Sequence, residues 1–213
     1  SVPSGNEAIM FEIVGMRRTL SAGFAALFLY GNASACTTQA WEELNVGTVA
    51  SAQTAARFDS QCGLRLHLSG DTSGWVEDHT PGTAESPMTE YVARFYVYLN
   101  DAVLPDNAPV TLLRVEDAGA NELFGLELKG IDGTAMLNLY AYDTGAGKVN
   151  AAQEVPVPPG WRALALNWAS GPGTGWVSLS IDKNPDVVDI SDLNNDGYVA
   201  DRVLLGIVGG NTG

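Results

Sequence analysis

Residues 124–142 read FGLELKGIDGTAMLNLYAY, and this stretch decides the fold class. Apolar and polar side chains alternate with a period of two on both sides of Asp132-Gly133, a pair typical of tight turns. Because successive side chains of a strand point to opposite faces, each half presents one apolar and one polar face. The stretch therefore predicts two antiparallel strands that are each buried on one side.

The same alternation recurs at intervals along the chain. It is found in residues 64–68, 91–100, 110–116, 161–168, 176–181 and 202–208. Turn formers such as Pro105-Asp106-Asn107 and Gly171-Pro172-Gly173 separate these runs, and no long segment has a helical period. Two sheets stacked face to face would bury all the apolar faces. We therefore expect an all-β fold, a two-sheet antiparallel jelly-roll sandwich, as one domain over residues 36–213.

Composition excludes one class of partner. The chain has 213 residues, 46% of them hydrophobic, so it is long enough to bury a substantial core. Its 25 acidic residues against 11 basic ones give a net charge of −14. A nucleic-acid surface needs clustered Lys and Arg, which this chain lacks, so no nucleic-acid partner is expected. The acidity is compatible with simple solubility, with a divalent cation site or with a neutral ligand.

The segment before residue 36 has the order of an export signal. Met16-Arg17-Arg18 is followed by the apolar run Leu20–Tyr30 and by Ala33-Ser34-Ala35, a small-x-small cleavage site. A bilayer span needs about 20 apolar residues, so no transmembrane segment is expected after cleavage. The alternative is a buried core helix. We predict residues 16–35 as a signal peptide, residues 1–15 as an upstream or non-native stretch, and an exported protein that is periplasmic, secreted or on a bacterial cell surface.

Two fates compete for the first cysteine. Cleavage after Ala35 would leave Cys36 at the start, where bacterial lipoproteins carry their lipid anchor, although Ala33 stands where such signals usually have Leu. Cys62 is the only other cysteine, and two cysteines in an exported chain favour a disulfide. A Cys36–Cys62 disulfide is the preferred prediction, and it would stabilise the chain by about 3 kcal/mol.

Two tyrosine pairs form the principal candidate binding surface. Tyr96 and Tyr98 have the phase opposite to the apolar residues of their run, as do Tyr140 and Tyr142 in theirs. If both strands lie in one sheet, the four rings form a polar aromatic platform suited to sugars, whose C–H faces stack on rings while their hydroxyls bind polar groups. The alternative is that tyrosines simply favour strands. Three further residues share the polar phase of their strands and complete the predicted site: Arg94, Glu127 and Asn138.

Asp192–Gly197 matches the first half of a calcium loop. Asp192, Asn194 and Asp196 supply oxygens at positions one, three and five, and Gly197 stands at position six. The second half does not match, because position twelve is Val203. Calcium bound in another geometry and an Asx-rich hairpin turn are both compatible with this stretch.

The sequence offers no convincing catalytic set. A glycosidase on a sheet needs two carboxylates on one strand face, but Glu122 and Glu127 are five residues apart and would point to opposite faces of a regular strand. The two histidines, His67 and His79, are not accompanied by a nucleophile motif. We therefore expect a protein that is not an enzyme.

The order of segments resembles the concanavalin A-like lectin/glucanase superfamily, in its bacterial laminin-G-like jelly-roll branch. The likeness covers roughly residue 48 to the end and lies in pattern and spacing rather than in one motif. The segments that carry it are Gly47-Thr48-Val49, Cys62–Leu66, Val76-Glu77-Asp78 with Pro81, Tyr91–Tyr96, Gly160–Leu164 and Asp201–Gly206. The resemblance implies two curved sheets and a further strand after Asp201–Gly206, so the jelly roll is expected to miss its last strand through C-terminal truncation.

This fold hosts lectins, glycanases and adhesion modules, so it does not select a function. The leading prediction is a non-catalytic exported recognition module that binds carbohydrate through the tyrosine face, with calcium as the one candidate cofactor. The alternative is a structural or adhesion domain that binds protein partners at the cell surface, and a glycoside hydrolase is the third choice.

Overall fold

The computed structural model describes residues 8–13, 43–45, 50–52, 63–67, 73–79, 88–99, 104, 108–182 and 184–210. Side chains are described from residue 73 onward, apart from Asp186 and Gly210. Within these ranges all regular structure is β-strand. The strands in chain order are β1 Ala8–Ile13, β2 Glu43–Asn45, β3 Ala50–Ala52, β4 Gly63–His67, β5 Gly74–Asp78, β6 Glu90–Leu99, β7 Val110–Glu116, β8 Glu122–Ile131, β9 Thr134–Asp143, β10 Gly147–Asn150, β11 Val155–Pro156, β12 Gly160–Ala169, β13 Gly175–Ile181, β14 Asn184–Leu193 and β15 Arg202–Gly210.

The strands form two antiparallel sheets. The seven-stranded sheet has the order β14-β13-β12-β6-β1-β4-β3, and the eight-stranded sheet has the order β10-β9-β8-β7-β15-β5-β2, with β11 also paired to β9. The β8–β9 hairpin closes through Asp132 and Gly133, which both have positive φ angles, 50° and 75°. An Asp-Gly pair suits this turn because Gly has no Cβ to clash and Asp tolerates the left-handed region.

One hydrophobic core joins the sheets. Phe124 of β8 stacks on Trp168 of β12, with ring centroids 5.3 Å apart and planes inclined by 17°. Tyr91 of β6 reaches the same Phe124 ring at 6.1 Å. Since β8 belongs to one sheet and β6 and β12 to the other, these contacts place the sheets face to face. The predicted all-β antiparallel sandwich is confirmed, and its arrangement is consistent with a jelly roll.

Ala8–Ile13 pairs within the domain. This segment, which lies upstream of the predicted signal peptide, forms β1 between β4 and β6. The sheet thus draws on residues before Cys36, a difference from the expectation that the domain consists of residues 36–213. The division into an upstream stretch, a signal peptide and a mature domain stays a prediction.

Two β-bulges reverse the phase of strands in the eight-stranded sheet. The register between β7 and β8 shifts between Thr111 and Leu113, and again between Val115 and Glu116. Consecutive residues therefore both face the core: Leu112 with Leu113, and Leu123 with Phe124. A bulge inserts one extra residue and so exchanges the faces of the residues beyond it. Glu122 consequently shares the outer face of the sheet with Glu127.

Candidate functional site

The outer surface of the eight-stranded sheet carries a continuous set of polar and aromatic side chains, which we call the polar face. Their strand neighbours, such as Val76, Leu126 and Leu139, lie in the core, so these side chains point away from it. Its members are Trp75, Glu77, His79, Arg114, Glu116, Glu122, Glu127, Lys129, Asn138, Tyr140, Tyr142, Lys148, Asn150 and Arg202.

Tyr140 lies at the centre of the β8–β9 half of the polar face. It is only 1% exposed and crosses its cross-strand partner Gly125. Its hydroxyl donates a hydrogen bond to Glu122, and the Tyr142 hydroxyl donates to the other carboxylate oxygen at 3.2 Å. Burial, together with the hydrogen bond to Glu122, raises the pKa of Tyr140 well above its ordinary value. The phenol is therefore a permanent hydrogen-bond donor rather than a base.

Glu127 organises the neighbouring cluster. Its Oε1 lies 2.6 Å from Lys148 Nζ, and its Oε2 accepts a hydrogen bond of 2.9 Å from Asn138 Nδ2. The Asn138 amide also donates to Asn150 Oδ1 at 3.0 Å. Lys148 Nζ lies 3.8 Å from the centroid of the Tyr140 ring, a cation–π contact. The four side chains thus hold one another in fixed orientations.

This cluster borders an open depression of about 710 Å³. Glu127, Asn138, Lys148 and Asn150 line it together with a second ion pair, Lys129 Nζ to Glu154 Oε1 at 2.5 Å, and with the backbone that follows β10. The volume is within the range usual for small-molecule sites. Two lysines and two glutamates pair within it, so the lining carries no net charge from these four groups.

The other half of the polar face is an ion network around Arg202. Arg202 bonds to Glu116, which is 2% exposed, and lies 3.8 Å from Glu77, which is 6% exposed. Arg114 Nε adds a third contact at 2.6 Å from Glu116 Oε1. Two buried carboxylates thus share the positive charge supplied by two arginines.

Glu77 also binds the residues on either side of it on its strand face. Its Oε1 accepts a hydrogen bond of 2.6 Å from Trp75 Nε1. Its Oε2 is hydrogen-bonded to His79 Nε2 at 2.9 Å. Burial raises the pKa of the Glu77 carboxyl, but the bonds from Trp75 and His79 and the charge of Arg202 outweigh this effect and leave the pKa below its usual value. The carboxylate is therefore kept ionised.

The predicted tyrosine platform is divided between the two sheets. Tyr140 and Tyr142 are in β9, whereas Tyr96 and Tyr98 are in β6, a strand of the seven-stranded sheet. Arg94 lies with Tyr96 and Tyr98, on the opposite side of the molecule from Glu127 and Asn138. Tyr96 is 9% exposed, and Tyr98 packs on Trp161 with centroids 5.3 Å apart. The one-sheet condition is not met, and as ligand-binding residues the seven stay predictions.

The Asp192–Gly197 stretch connects the two sheets. Asp192 lies near the end of β14 in the seven-stranded sheet, and the chain then continues to β15 in the eight-stranded sheet. The stretch is therefore a crossover between the sheets and not the hairpin turn considered above. Asn194 is fixed by Asp143, whose Oδ2 accepts its N–H at 2.6 Å, and by Thr144.

Calcium at Asp192, Asn194 and Asp196 stays a prediction. In the described part of the chain, no three His, Cys, Asp or Glu side chains are grouped so as to hold a metal ion. Such grouping does not count asparagine or backbone oxygens, which calcium also accepts.

Some predictions lie outside the described residues. These are the signal peptide of residues 16–35, the Cys36–Cys62 disulfide and the lipid anchor at Cys36. The described part of the chain contains no helix that is long and apolar enough to cross a membrane.

Sequence reasoning missed much of the polar face. The alternation predicts Glu122 and Glu127 on opposite faces of the sheet. This is wrong, because the bulge at Leu123 places the Glu122 side chain on the same face as Glu127. The doubled apolar pairs Leu112-Leu113 and Leu123-Phe124 in otherwise alternating runs were the available signal. Other members come together through pairing of strands remote in sequence, for which no local signal exists: Trp75, Glu77, His79, Glu116 and Arg202.

Comparison with known proteins adds one distant structural likeness. No protein-family model matches the chain, and no curated protein matches it. A solved structure, the endo-beta-1,4-glucuronan lyase from the fungus Trichoderma reesei, is similar over 82% of this chain and 80% of its own, with 11% sequence identity and a TM-score of 0.44. The two antiparallel sheets themselves define the class of protein as an all-β sandwich, and membership of the concanavalin A-like superfamily stays a prediction.

Proposed function

We propose that this protein is an exported, non-catalytic module that binds carbohydrate at the depression of the polar face. The observation that carries the proposal is the cluster of Glu127, Asn138, Lys148 and Asn150 at its rim. A carboxylate, two amides and an ammonium group offer acceptors and donors side by side. Sugar hydroxyls both donate and accept hydrogen bonds, so they match such a mixed set.

The aromatic and electrostatic surroundings support the same ligand class. The ring of Tyr142 is partly exposed beside the cluster and can stack on the C–H face of a sugar. Ion pairing within the depression cancels its four charges, which suits a neutral ligand better than a strongly charged one.

A non-catalytic role is supported by what surrounds the two carboxylates of this half. Glu122 accepts hydrogen bonds from Tyr140 and Tyr142. Glu127 is engaged by Lys148 and Asn138. A glycosidase needs two carboxyl groups that face the substrate, whereas the oxygens of both these carboxylates are engaged by neighbouring side chains.

A glycan array probed with the full chain, in calcium and in chelator, tests the proposal. Wild-type protein should bind a defined class of neutral glycan, and the Lys148→Ala and Tyr142→Ala variants should lose that binding. Tyr98→Ala is the matched control, because it removes a tyrosine from the other sheet, and it should bind normally. If only Tyr98→Ala loses binding, the binding site lies on the seven-stranded sheet and the proposed site is wrong. If the protein releases reducing ends from a glycan, it is a hydrolase and the non-catalytic role is wrong.

The second candidate function is a structural or adhesion domain that binds protein. Val92 is 53% exposed and Trp176 is 39% exposed, and both lie on the outer face of the seven-stranded sheet. Folded protein that binds no glycan, and whose adhesion to a protein surface depends on Trp176, would favour this alternative.

A further inference from the structure

Arg94 differs from the other described cationic side chains in having no ion pair. Six Lys and Arg side chains are described, and five of them form ion pairs: Arg114, Lys129, Lys148, Arg162 and Arg202. Arg94 has no ion pair or hydrogen bond in the described structure, although the chain has a net charge of −14. Its guanidinium group is therefore available, in a protein that has acidic groups in excess.

The surroundings of Arg94 form a small, open pocket on the outer face of the seven-stranded sheet. Arg94 on β6 and Ser180 on β13 are both register partners of Ala165, which lies between them on β12. Since neighbouring strands are about 4.8 Å apart, the two backbones stand about 10 Å apart across a single methyl group. The resulting pocket of about 280 Å³ has Ala163 and Ala165 on β12 and is bordered by Asp182, Asn184 and Pro185.

Asp182 is the acidic group of this pocket, and its oxygens already have partners. Oδ1 accepts the Ala163 N–H at 3.0 Å, and Oδ2 lies 3.3 Å from Arg162 Nη1. The Asp182 N–H also donates to the Ala163 carbonyl at 2.7 Å, so the turn is fixed to β12. The charge of Asp182 is therefore balanced by Arg162, and among the described side chains of this pocket Arg94 is the cation without an ion pair.

We propose that this pocket is a second ligand site, in which Arg94 binds an oxyanion carried as a phosphate or a carboxylate group. A guanidinium fork binds such groups through two parallel hydrogen bonds. Ser180 and Asn184 line the facing wall, and the Asn184 amide provides a neutral polar group for the remaining oxygens. This site is separate from the polar face, because the two lie on opposite outer surfaces of the sandwich.

Isothermal titration calorimetry of the full chain tests the site. Inorganic phosphate and acetate are titrated separately, at an ionic strength matched with sodium chloride, so that binding of a phosphate and of a carboxylate can be distinguished. Saturable binding of at least one anion is expected, with shifts of the Ala163, Ala165 and Ser180 amide signals in NMR spectra. Arg94→Gln should raise the dissociation constant about tenfold or more. Lys129→Gln removes the same charge from the other sheet and should leave it unchanged.

Ala165→Leu provides a second variant that keeps the arginine. The larger side chain fills the space between Arg94 and Ser180, so anion binding should be lost while the charge of the protein is unchanged. The proposal is overturned if wild-type protein binds neither anion saturably, or if Arg94→Gln binds as tightly as wild type. Neither result bears on the glycan proposal, which depends on the other sheet.

Discussion

Tyr140 lies across Gly125, its direct partner on the neighbouring strand, and its hydroxyl donates a hydrogen bond to Glu122. A Cβ atom at position 125 would overlap the phenol and lie 2.6 Å from the Leu113 carbonyl oxygen. The glycine thus gives the tyrosine room to lie flat on the sheet, and this position brings its hydroxyl to the carboxylate.

Gly125→Ala should therefore destabilise the protein. The added methyl group meets backbone as well as the phenol, so relaxation is limited and a loss of about 2 kcal/mol is expected. Urea unfolding measures it. Gly209→Ala is the control, because a Cβ there has no neighbour within 4 Å and no positive φ is involved. Equal stabilities of the two variants would contradict the described position of Tyr140.

Stability should fall steeply in alkaline solution. Burial is the main cause that raises the pKa of both Tyr140 and Tyr91 above 10.0, the value expected in the unfolded chain. The folded state therefore holds protons that the unfolded state releases, and the stability present below pH 10.0 is lost as pH rises above it. Each tyrosine contributes a slope of about 1.4 kcal/mol per pH unit in that range. Urea unfolding at several alkaline pH values should show a shallower slope for Tyr140→Phe, and an unchanged slope would contradict the assignment.

Removing Arg202 should destabilise the protein, because its partners Glu77 and Glu116 are buried carboxylates. Arg202→Ala leaves Glu77 with His79 and Trp75, and leaves Glu116 with Arg114 as its cationic contact among the described residues. Breaking a buried ion pair from one side costs about 3–5 kcal/mol.

The measurement is again chemical denaturation, with Lys129→Ala as the control. Its partner Glu154 is 26% exposed, so water can replace the lysine and a loss of about 1 kcal/mol or less is expected. If both substitutions cost the same, the Arg202 network is not buried as described.

The sequence analysis could locate strands because burial on one side leaves a local record in the alternation of residues. Val110–Glu116 was recovered at its observed bounds, and the Asp132-Gly133 turn was recognised from its chemistry. Alternation cannot tell which sheet a strand joins, because both sheets bury an apolar face against the same core. Tyr96 and Tyr140 therefore had equivalent signals, although they lie on opposite surfaces of the sandwich.

Bulges caused the second kind of error. A phase argument assumes an uninterrupted period of two, and one extra residue at Leu123 reverses it for Glu122. The cross-strand partners of Glu116 and Glu77 depend on β15, which follows them by more than eighty residues. Such pairings are decided by the packing of the whole sandwich rather than by local sequence.

Adjacent asparagines in the β14–β15 connection should respond differently to a single added charge. Asn195 is fully buried, and its Oδ1 accepts the Gly171 N–H at 2.8 Å while its Nδ2 faces the Ala169 carbonyl at 3.5 Å. In Asn195→Asp an acceptor replaces the donor opposite that carbonyl, and a buried charge appears. A loss of about 3 kcal/mol is expected.

Asn194→Asp is the matched change one residue away, at an exposed position, and should be tolerated. Melting temperatures of both variants, each with calcium and with chelator, provide the measurement. If the Asp192–Asp196 stretch binds calcium, the added carboxylate of Asn194→Asp strengthens the site and the melting temperature rises more with calcium than in wild type. If calcium changes neither wild type nor Asn194→Asp, the calcium prediction is wrong, while the expected loss in Asn195→Asp is unaffected because it depends on burial alone.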